Sequence, residues 1–344
     1  MRNLRLKLGV IVLINASLLG CGGGGGNDGG ATASGSASIA DSRASFSAIT
    51  QANYETVAAT VLDPLGELTD LNSATGLITS GVELDAPPLS LATASTQIYK
   101  RFSARGTQLV TGAVYTEACS RGGSVTVNES VASDSKLTPG DRLTISANNC
   151  VEDDLPALNG TLSIIINAVS GDPINSNRYS LEMTSTFSNL AMNSGAKRVL
   201  IDGDLKISAS QNGSSDTGIG LSGSRLSLSI DQSGTTTNAY TLADFNLTGS
   251  ETANSTSLAG TYTLSGSSAK LGAYSYRVQT VRPIVVSDSA SFVSAGSLLI
   301  TGTPATVTVT SLDGTTLRLD YSAKGDGIIT ANSTLTRAQF DALN

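Results

Sequence analysis

Val199-Leu200-Ile201-Asp202-Gly203-Asp204-Leu205-Lys206-Ile207-Ser208 is the stretch whose reading decides the fold. Val199, Ile201, Leu205 and Ile207 share one phase of a two-residue period, and Asp202, Asp204, Lys206 and Ser208 share the other. Successive side chains of an extended chain point to opposite faces, so this pattern makes one apolar face and one polar face. Leu162, Ile164, Ile166 and Ala168 repeat it against Thr161, Ser163, Ile165 and Asn167, and Tyr179, Leu181, Met183 and Phe187 continue it. Strands with one face for a core and one for water pair antiparallel. The expected fold is therefore mainly β: a large curved antiparallel sheet, a meander that can reach a half-barrel, preceded by a short N-terminal helical segment.

Turn residues fall between these runs, at Asn193-Ser194-Gly195, Asn212-Gly213, Ser233-Gly234 and Asp313-Gly314. The last is the clearest, because Val307-Thr308-Val309-Thr310 and Leu317-Arg318-Leu319-Asp320-Tyr321 flank it as the arms of a hairpin. The apolar phase slips between Leu221 and Leu226 and between Leu242 and Phe245, which predicts β-bulges that curl the sheet. An echo of Tyr179-Ser180-Leu181, Tyr240-Thr241-Leu242, Tyr262-Thr263-Leu264 and Tyr276-Arg277-Val278 is too irregular in spacing for a solenoid or propeller.

Ahead of the strands the period changes. From Ser47 to about Leu62, the residues Ile49, Tyr54, Val57, Ala58, Val61 and Leu62 can share a helical face, with Thr50 as N-cap and Pro64 as stop. Leu65 to Leu77 and Leu89 to Phe102 are further helical candidates. Residues 46–105 thus read as a helical segment and 106–344 as the β domain, with the helices expected to cover an edge or face of the sheet.

The first twenty residues read as a secretory signal. Arg2, Arg5 and Lys7 precede an uncharged apolar run from Leu8 to Ile14 that continues to Leu18-Leu19-Gly20-Cys21. This end resembles a bacterial lipobox. The resemblance implies removal of residues 1–20 and acylation of Cys21, with a membrane grip of about 0.8 kcal/mol per buried methylene. Gly22 in place of Asp implies, by the same resemblance, sorting to the outer membrane. Residues 21–45, beginning with a run from Gly22 to Gly26, have the composition of a flexible Gly/Ser/Ala tether.

Removing residues 1–20 takes away three basic residues and no acidic ones, which leaves 18 basic against 28 acidic and a net charge of −10. Such a chain repels nucleic acid. Cys119 and Cys150 remain as an even pair in an oxidising compartment and are expected to form a disulfide, buried free thiols being the alternative. Cys119-Ser120-Arg121-Gly122-Gly123, Leu137-Thr138-Pro139-Gly140-Asp141, Asn148-Asn149-Cys150 and Gly296-Ser297-Leu298-Leu299-Ile300-Thr301-Gly302, with Asp320 to Gly327, resemble a group of uncharacterised proteobacterial lipoproteins. That resemblance supports the disulfide and the β fold and implies no activity.

The chain has no His, which rules out Ser-His-Asp and Cys-His nucleophilic sets and removes the commonest zinc ligand. Ser133-Asp134-Ser135-Lys136 and Ser267-Ser268-Ala269-Lys270 spell Ser-x-x-Lys, a match expected by chance in a Ser-rich chain. Glu152-Asp153-Asp154 and the pair Asp202/Asp204 are the carboxylates available for glycosidic chemistry, without any Trp to stack on a sugar. Asp320, Ser322, Asp326 and Gly327 resemble a worn calcium loop with Lys324 at a ligand position. Asn128, Asn159, Asn246, Asn254 and Asn332 head glycosylation-like triplets.

The expectation for function is a non-enzymatic, structural or binding lipoprotein of the bacterial outer membrane, anchored at Cys21 and facing the periplasm or the cell surface. Its expected partners are the membrane, through the anchor, and an envelope protein, glycan or lipid. Neither a cofactor nor a metal is expected. The alternative is a carrier that cups lipid or another apolar molecule in a curved sheet, an architecture similar to the lipoprotein-carrier half-barrels. A membrane β-barrel is disfavoured by an aromatic content of only 4%.

Overall fold

The computed structural model describes residues 46–68, 113–133, 137–151, 157–172, 176, 178–194, 197–213, 217–232, 235–251, 255–287 and 293–343. A helix, α1 (Tyr54–Leu68), precedes the strands β1 (Ala113–Ala118), β2 (Gly122–Ser130), β3 (Arg142–Val151), β4 (Ala157–Gly171), β5 (Arg178–Ser194), β6 (Lys197–Asn212) and β7 (Thr217–Gln232). There follow β8 (Thr235–Glu251), β9 (Ser255–Ser268), β10 (Gly272–Ser287), β11 (Val293–Thr301), β12 (Thr306–Ser311), β13 (Thr316–Ser322), β14 (Ala331–Thr336) and a final helical turn, α2 (Arg337–Asp341). The 14 strands form one antiparallel sheet whose spatial order is their order in the chain, open between β1 and β14. The expected mainly β meander is thus what the chain adopts.

Each strand from β2 to β13 turns its apolar phase inward, and the inward side chains form one continuous buried cluster. Leu162, Ile201, Leu226, Leu264, Val278 and Ile300 are wholly shut off from solvent. Burying an aliphatic side chain of this size contributes roughly 1.5–3 kcal/mol, so this face supplies most of the driving force. The tyrosines of the repeated triplets, Tyr179, Tyr240, Tyr262 and Tyr276, all belong to it. Polar residues take the outward phase, the reverse of a membrane barrel, which turns its apolar side to lipid.

An open sheet of more than about ten strands must curl or split to cover an apolar face. The curl has a visible cause. Gly203 occupies the inward phase of β6 between Ile201 and Leu205, at φ +124, and a Cβ there would overlap the Arg225 carbonyl oxygen of β7. Opposite it, Gly223, Ser224 and Arg225 of β7 face only Asp204 and Leu205 of β6. That is the bulge expected between Leu221 and Leu226. The second expected bulge is also present, with Asp244 and Phe245 of β8 against Tyr262 alone on β9. A third was not foreseen: Ser188 and Asn189 of β5 face Asp202 of β6. Among the described residues, Asn149, Asn189 and Asp244 are the non-glycine residues at positive φ, and each sits in such a bulge. Asn and Asp tolerate that region because their short polar side chains bond locally.

The bulges continue from strand to strand, with glycines 123, 160, 260 and 296 lying against a neighbouring carbonyl as Gly203 does. The result is a crease across the sheet, and a bulged strand bends and twists more strongly at each crossing.

The helical expectation needs two corrections. It placed the start near Ser47 with Thr50 as N-cap, and the stop at Pro64. Ser47 and Ala48 instead join the end of the sheet: the Ser47 N–H donates to the Ser275 carbonyl at 2.9 Å, and Ala48 bridges Thr303 in parallel. The helix begins only at Tyr54, after a turn in which the Asn53 side chain accepts from the Thr50 N–H at 2.7 Å. It then runs through Pro64 to Leu68, although proline inside a helix forgoes the bond to residue i−4 and crowds that carbonyl. The predicted face holds: Ile49, Tyr54, Val57, Ala58 and Val61 are buried, and α1 packs on β12 and β13. The rings of Tyr54 and Tyr321 meet at 5.5 Å. The remainder of the Leu65–Leu77 stretch beyond Leu68, and all of Leu89–Phe102, lie outside the described residues, as do the signal and tether.

The disulfide links Cys119 to Cys150 with Cα atoms 5.4 Å apart across a separation of 31 residues. It ties the β1–β2 turn to the end of β3, and so secures the strand that closes one edge of the sheet. Asp313 organises the β12–β13 hairpin as expected, its Oδ1 accepting from the N–H and hydroxyl of both Thr315 and Thr316 at 2.8–2.9 Å.

Two stability measurements follow. Gly203→Ala lowers the unfolding free energy by about 3 kcal/mol, whereas Gly213→Ala, at positive φ with open space around it, costs about 1 kcal/mol. Urea unfolding of the two variants reads the difference, and equal midpoints would refute the crease contact. Replacing Cys119 and Cys150 together with Ser lowers stability by roughly 3–4 kcal/mol by releasing the loop in the unfolded chain.

Candidate functional site

The outward face is built from hydroxyl and amide side chains in register. Thr116 and Thr126 bring their hydroxyls to 2.9 Å, Ser146 and Thr161 to 3.1 Å, Thr144 and Ser163 to 3.1 Å, and Ser227 and Thr241 to 2.9 Å. Asn167 donates to Thr184 at 2.7 Å. Facing positions of adjacent strands are close enough for such pairs, and each contributes a few tenths of a kcal/mol. Glu182 and Lys206 add an ion pair at 2.9 Å.

The carboxylates proposed for glycosidic chemistry have another use here. Asp202 accepts from the Asn189 N–H at 3.2 Å, and Asp204 accepts from the Ser224 N–H at 2.9 Å, the Arg225 N–H at 3.2 Å and the Ser224 hydroxyl. These are backbone donors that the bulges withdraw from the ladder and that need acceptors elsewhere. Asn159, accepting from the Asn149 N–H at 3.4 Å, and Thr280, accepting from the Gly260 N–H at 3.0 Å, serve the same crease. Partial burial acts to raise the pKa of Asp204, but its bonds from Ser224 and Arg225 outweigh this and hold it below the usual carboxylate value. A lowered pKa suits a permanent anion and not a proton donor. Glu152, Asp153 and Asp154 lie outside the described residues.

Asp320 and Asp326 do not converge on a cation. Asp320 pairs with Arg318 at 2.8 Å, while Asp326 accepts from the Ile328 N–H at 3.0 Å and the Ser322 hydroxyl at 3.1 Å. Among the described residues, no group of three or more Cys, Asp or Glu is placed to hold a metal. Lys270 of the second Ser-x-x-Lys donates to the Leu343 carbonyl at 2.8 Å, beyond the end of α2, where a cation suits the exposed carbonyls. Ser268 accepts from the Leu271 N–H. In the first Ser-x-x-Lys, residues 134–136 lie outside the described residues, as does Cys21.

One polar pair escaped the sequence reading. Glu129 takes the inward phase of β2 after Val125 and Val127 and is 2% exposed, with Oε2 meeting no hydrogen-bond partner among the described residues. Asp141, also buried, accepts from the Ala132 N–H at 2.9 Å, the Thr138 N–H at 2.7 Å and the Thr138 hydroxyl at 2.6 Å. Burial, and then repulsion from Asp141, push the Glu129 carboxyl above its ordinary pKa of 4.5. The signal was available: an acid standing where the alternation demands an apolar residue. Asp141 fixes the Ala132 and Thr138 ends of the β2–β3 connection, and Glu129 faces the core beside it.

Compared with known proteins, the chain matches no protein family, no curated protein and no solved structure.

Glu129→Gln gives a pH test. Below pH 4.5 the carboxyl is protonated in both folded and unfolded chains; as pH rises through the raised folded value, the buried group opposes ionisation and stability falls. The variant is expected to flatten that decline and to unfold at higher urea concentration than the parent at pH 7. A parent and variant with parallel pH profiles would remove Glu129 from the account.

Proposed function

We propose that this chain is a lipid-anchored protein of the bacterial outer membrane that acts by contact with another envelope component and not by catalysis. The observation that carries this reading is the contrast between the two faces of the sheet. The inward face is filled by its own side chains, and the outward face presents rows of hydroxyls and amides with fixed spacing. The inward side chains are buried against one another in one cluster, whereas the carrier alternative needs a lined cavity. Asp202 and Asp204, the described carboxylates considered for glycosidic chemistry, are occupied as acceptors for backbone donors. The basic start, apolar run and terminal Cys21 support the anchor, and the charge of −10 on the mature chain favours a neutral or cationic partner over nucleic acid.

The test uses intact cells. A photo-crosslinking residue at Ser163 or Thr186, outward positions of β4 and β5, is expected to capture a discrete envelope component. The Cys21→Ser chain is expected to lose its fatty acid, leave the membrane fraction and lose that adduct. An anchored chain that yields no adduct from either position, yet turns over an envelope substrate, would overturn the proposal.

A further inference from the structure

The β13–β14 loop holds two adjacent isoleucines in water. Ile328 is 67% exposed and Ile329 48% exposed; Val114, Val281 and Leu312 are also exposed large apolar side chains, but each stands alone in the sequence. Isolated exposed apolar residues need no explanation; this pair is adjacent and stands at a loop tip, where both side chains can meet the same apolar partner. The loop is also built to present them. The Ser322 hydroxyl and Ile328 N–H both donate to Asp326, the Ala323 N–H donates to the Thr330 hydroxyl at 3.2 Å, and the Thr330 N–H donates to the Tyr321 carbonyl at 2.8 Å. A loop ordered beforehand loses little conformational freedom when it binds. Lys324 stands exposed on the same loop, while the Asp326 carboxylate is turned to bonds within it.

The position of the loop indicates its partner. The chain reaches the sheet at Ser47, whose carbonyl accepts from the Thr303 N–H at 3.0 Å in the β11–β12 turn. In the ladder Thr301 pairs with Thr306 and Thr306 with Ser322, so this turn and the β13–β14 loop lie at the same end of the sheet. Leu312, in the β12–β13 turn, lies at the opposite end. Twenty-five residues, 22–46, separate Cys21 from Ser47. A segment of that length spans at most about 90 Å when fully extended, so an acyl anchor at Cys21 keeps this end of the sheet within that distance of the bilayer.

We infer that Ile328 and Ile329 insert into the lipid surface that holds the anchor, with Lys324 facing the headgroups, so that the domain stands on the membrane by its β13–β14 end. This rests on the acylation of Cys21 proposed above. Two isoleucines are too few to hold a free protein on a membrane, but the tether makes their insertion intramolecular and raises its effective concentration.

The absence of Trp allows a clean probe. Ile328→Trp, Ile329→Trp and Leu312→Trp are prepared separately as mature acylated chains beginning at Cys21, the acylation verified by the mass of the N-terminal peptide. Each is reconstituted into phosphatidylethanolamine–phosphatidylglycerol vesicles with and without brominated acyl chains. Insertion to the acyl boundary is expected to shift the emission of the loop probes to the blue and quench it by about half in brominated vesicles, while the Leu312 probe stays unquenched. Acylated chains whose loop probes emit as in water, or whose three probes are quenched alike, overturn the inference and leave the anchor standing. A mature chain with Cys21 unmodified overturns the anchor, and the orientation with it.

Discussion

The crease across the sheet is the constraint on which the rest of the structure depends. Fourteen strands in sequential order have one apolar face, and among the described residues helix α1 packs on β12 and β13. Strands that bend together at matching places bring the rest of that face toward itself. That bend needs two things at each crossing: a residue without Cβ where a carbonyl approaches, and an acceptor for the N–H that the bulge releases. Gly203 beside Arg225, with Asp204 accepting from Ser224 and Arg225, supplies both. The bend is therefore a specific feature of the sequence, distributed over many strands and repeated in the same chemical terms.

This arrangement also determines which polar residues remain available for chemistry. Asp202 and Asp204 hold backbone donors in place, Asp313 and Asp326 organise turns, and Asp141 organises the β2–β3 connection. Donors from Thr315 and Thr316 hold the exposed Asp313 carboxyl down at about 2, and those from Ile328 and Ser322 lower that of Asp326, despite some desolvation at each. Groups whose ionised form is fixed in this way serve as anchors for backbone and not as acids. Glu129 is the opposite case, an acid pushed upward by burial and by its neighbour, but it faces the core. The outward surface is left with hydroxyls and amides already paired across strands, a geometry suited to contact.

The segments that flank the strands complete the packing. Ser47 and Ala48 extend the sheet at the β10–β11–β12 end before α1 turns beneath it, and Tyr321 donates to the Ile49 carbonyl at 3.4 Å to hold that passage. At the other terminus, Thr336 and Gln339 form a capping box for α2, and Phe340 is buried in the core. Lys270 joins the β9–β10 turn to the carbonyls that follow α2. Contacts between segments so far apart in sequence limit how far the curved sheet can open.

Strand identity, the two faces, the Asp313 hairpin and two bulges were legible in the sequence, because a period of two and a slip in its phase are local properties of neighbouring residues. The disulfide followed from setting Cys21 aside for the lipid, which left Cys119 and Cys150 as a pair. The T-x-x-Q spelling of Thr336 to Gln339 and the inward phase of Glu129 were equally local, but α2 is a single turn and a lone acid in an apolar row is easily assigned to the solvent side. What only the tertiary structure decided was partnership. Asp202 and Asp204 look alike as polar positions on a strand, and nothing in their own strand shows that the next strands carry extra residues whose N–H groups need them. Nor does the pattern around Ser47 reveal that Ser275 and Thr303 will draw it into extended pairing and delay the helix to Tyr54. Periodicity reports how a segment divides between core and water; it does not carry the register of one strand against another, and the crease is made of that register.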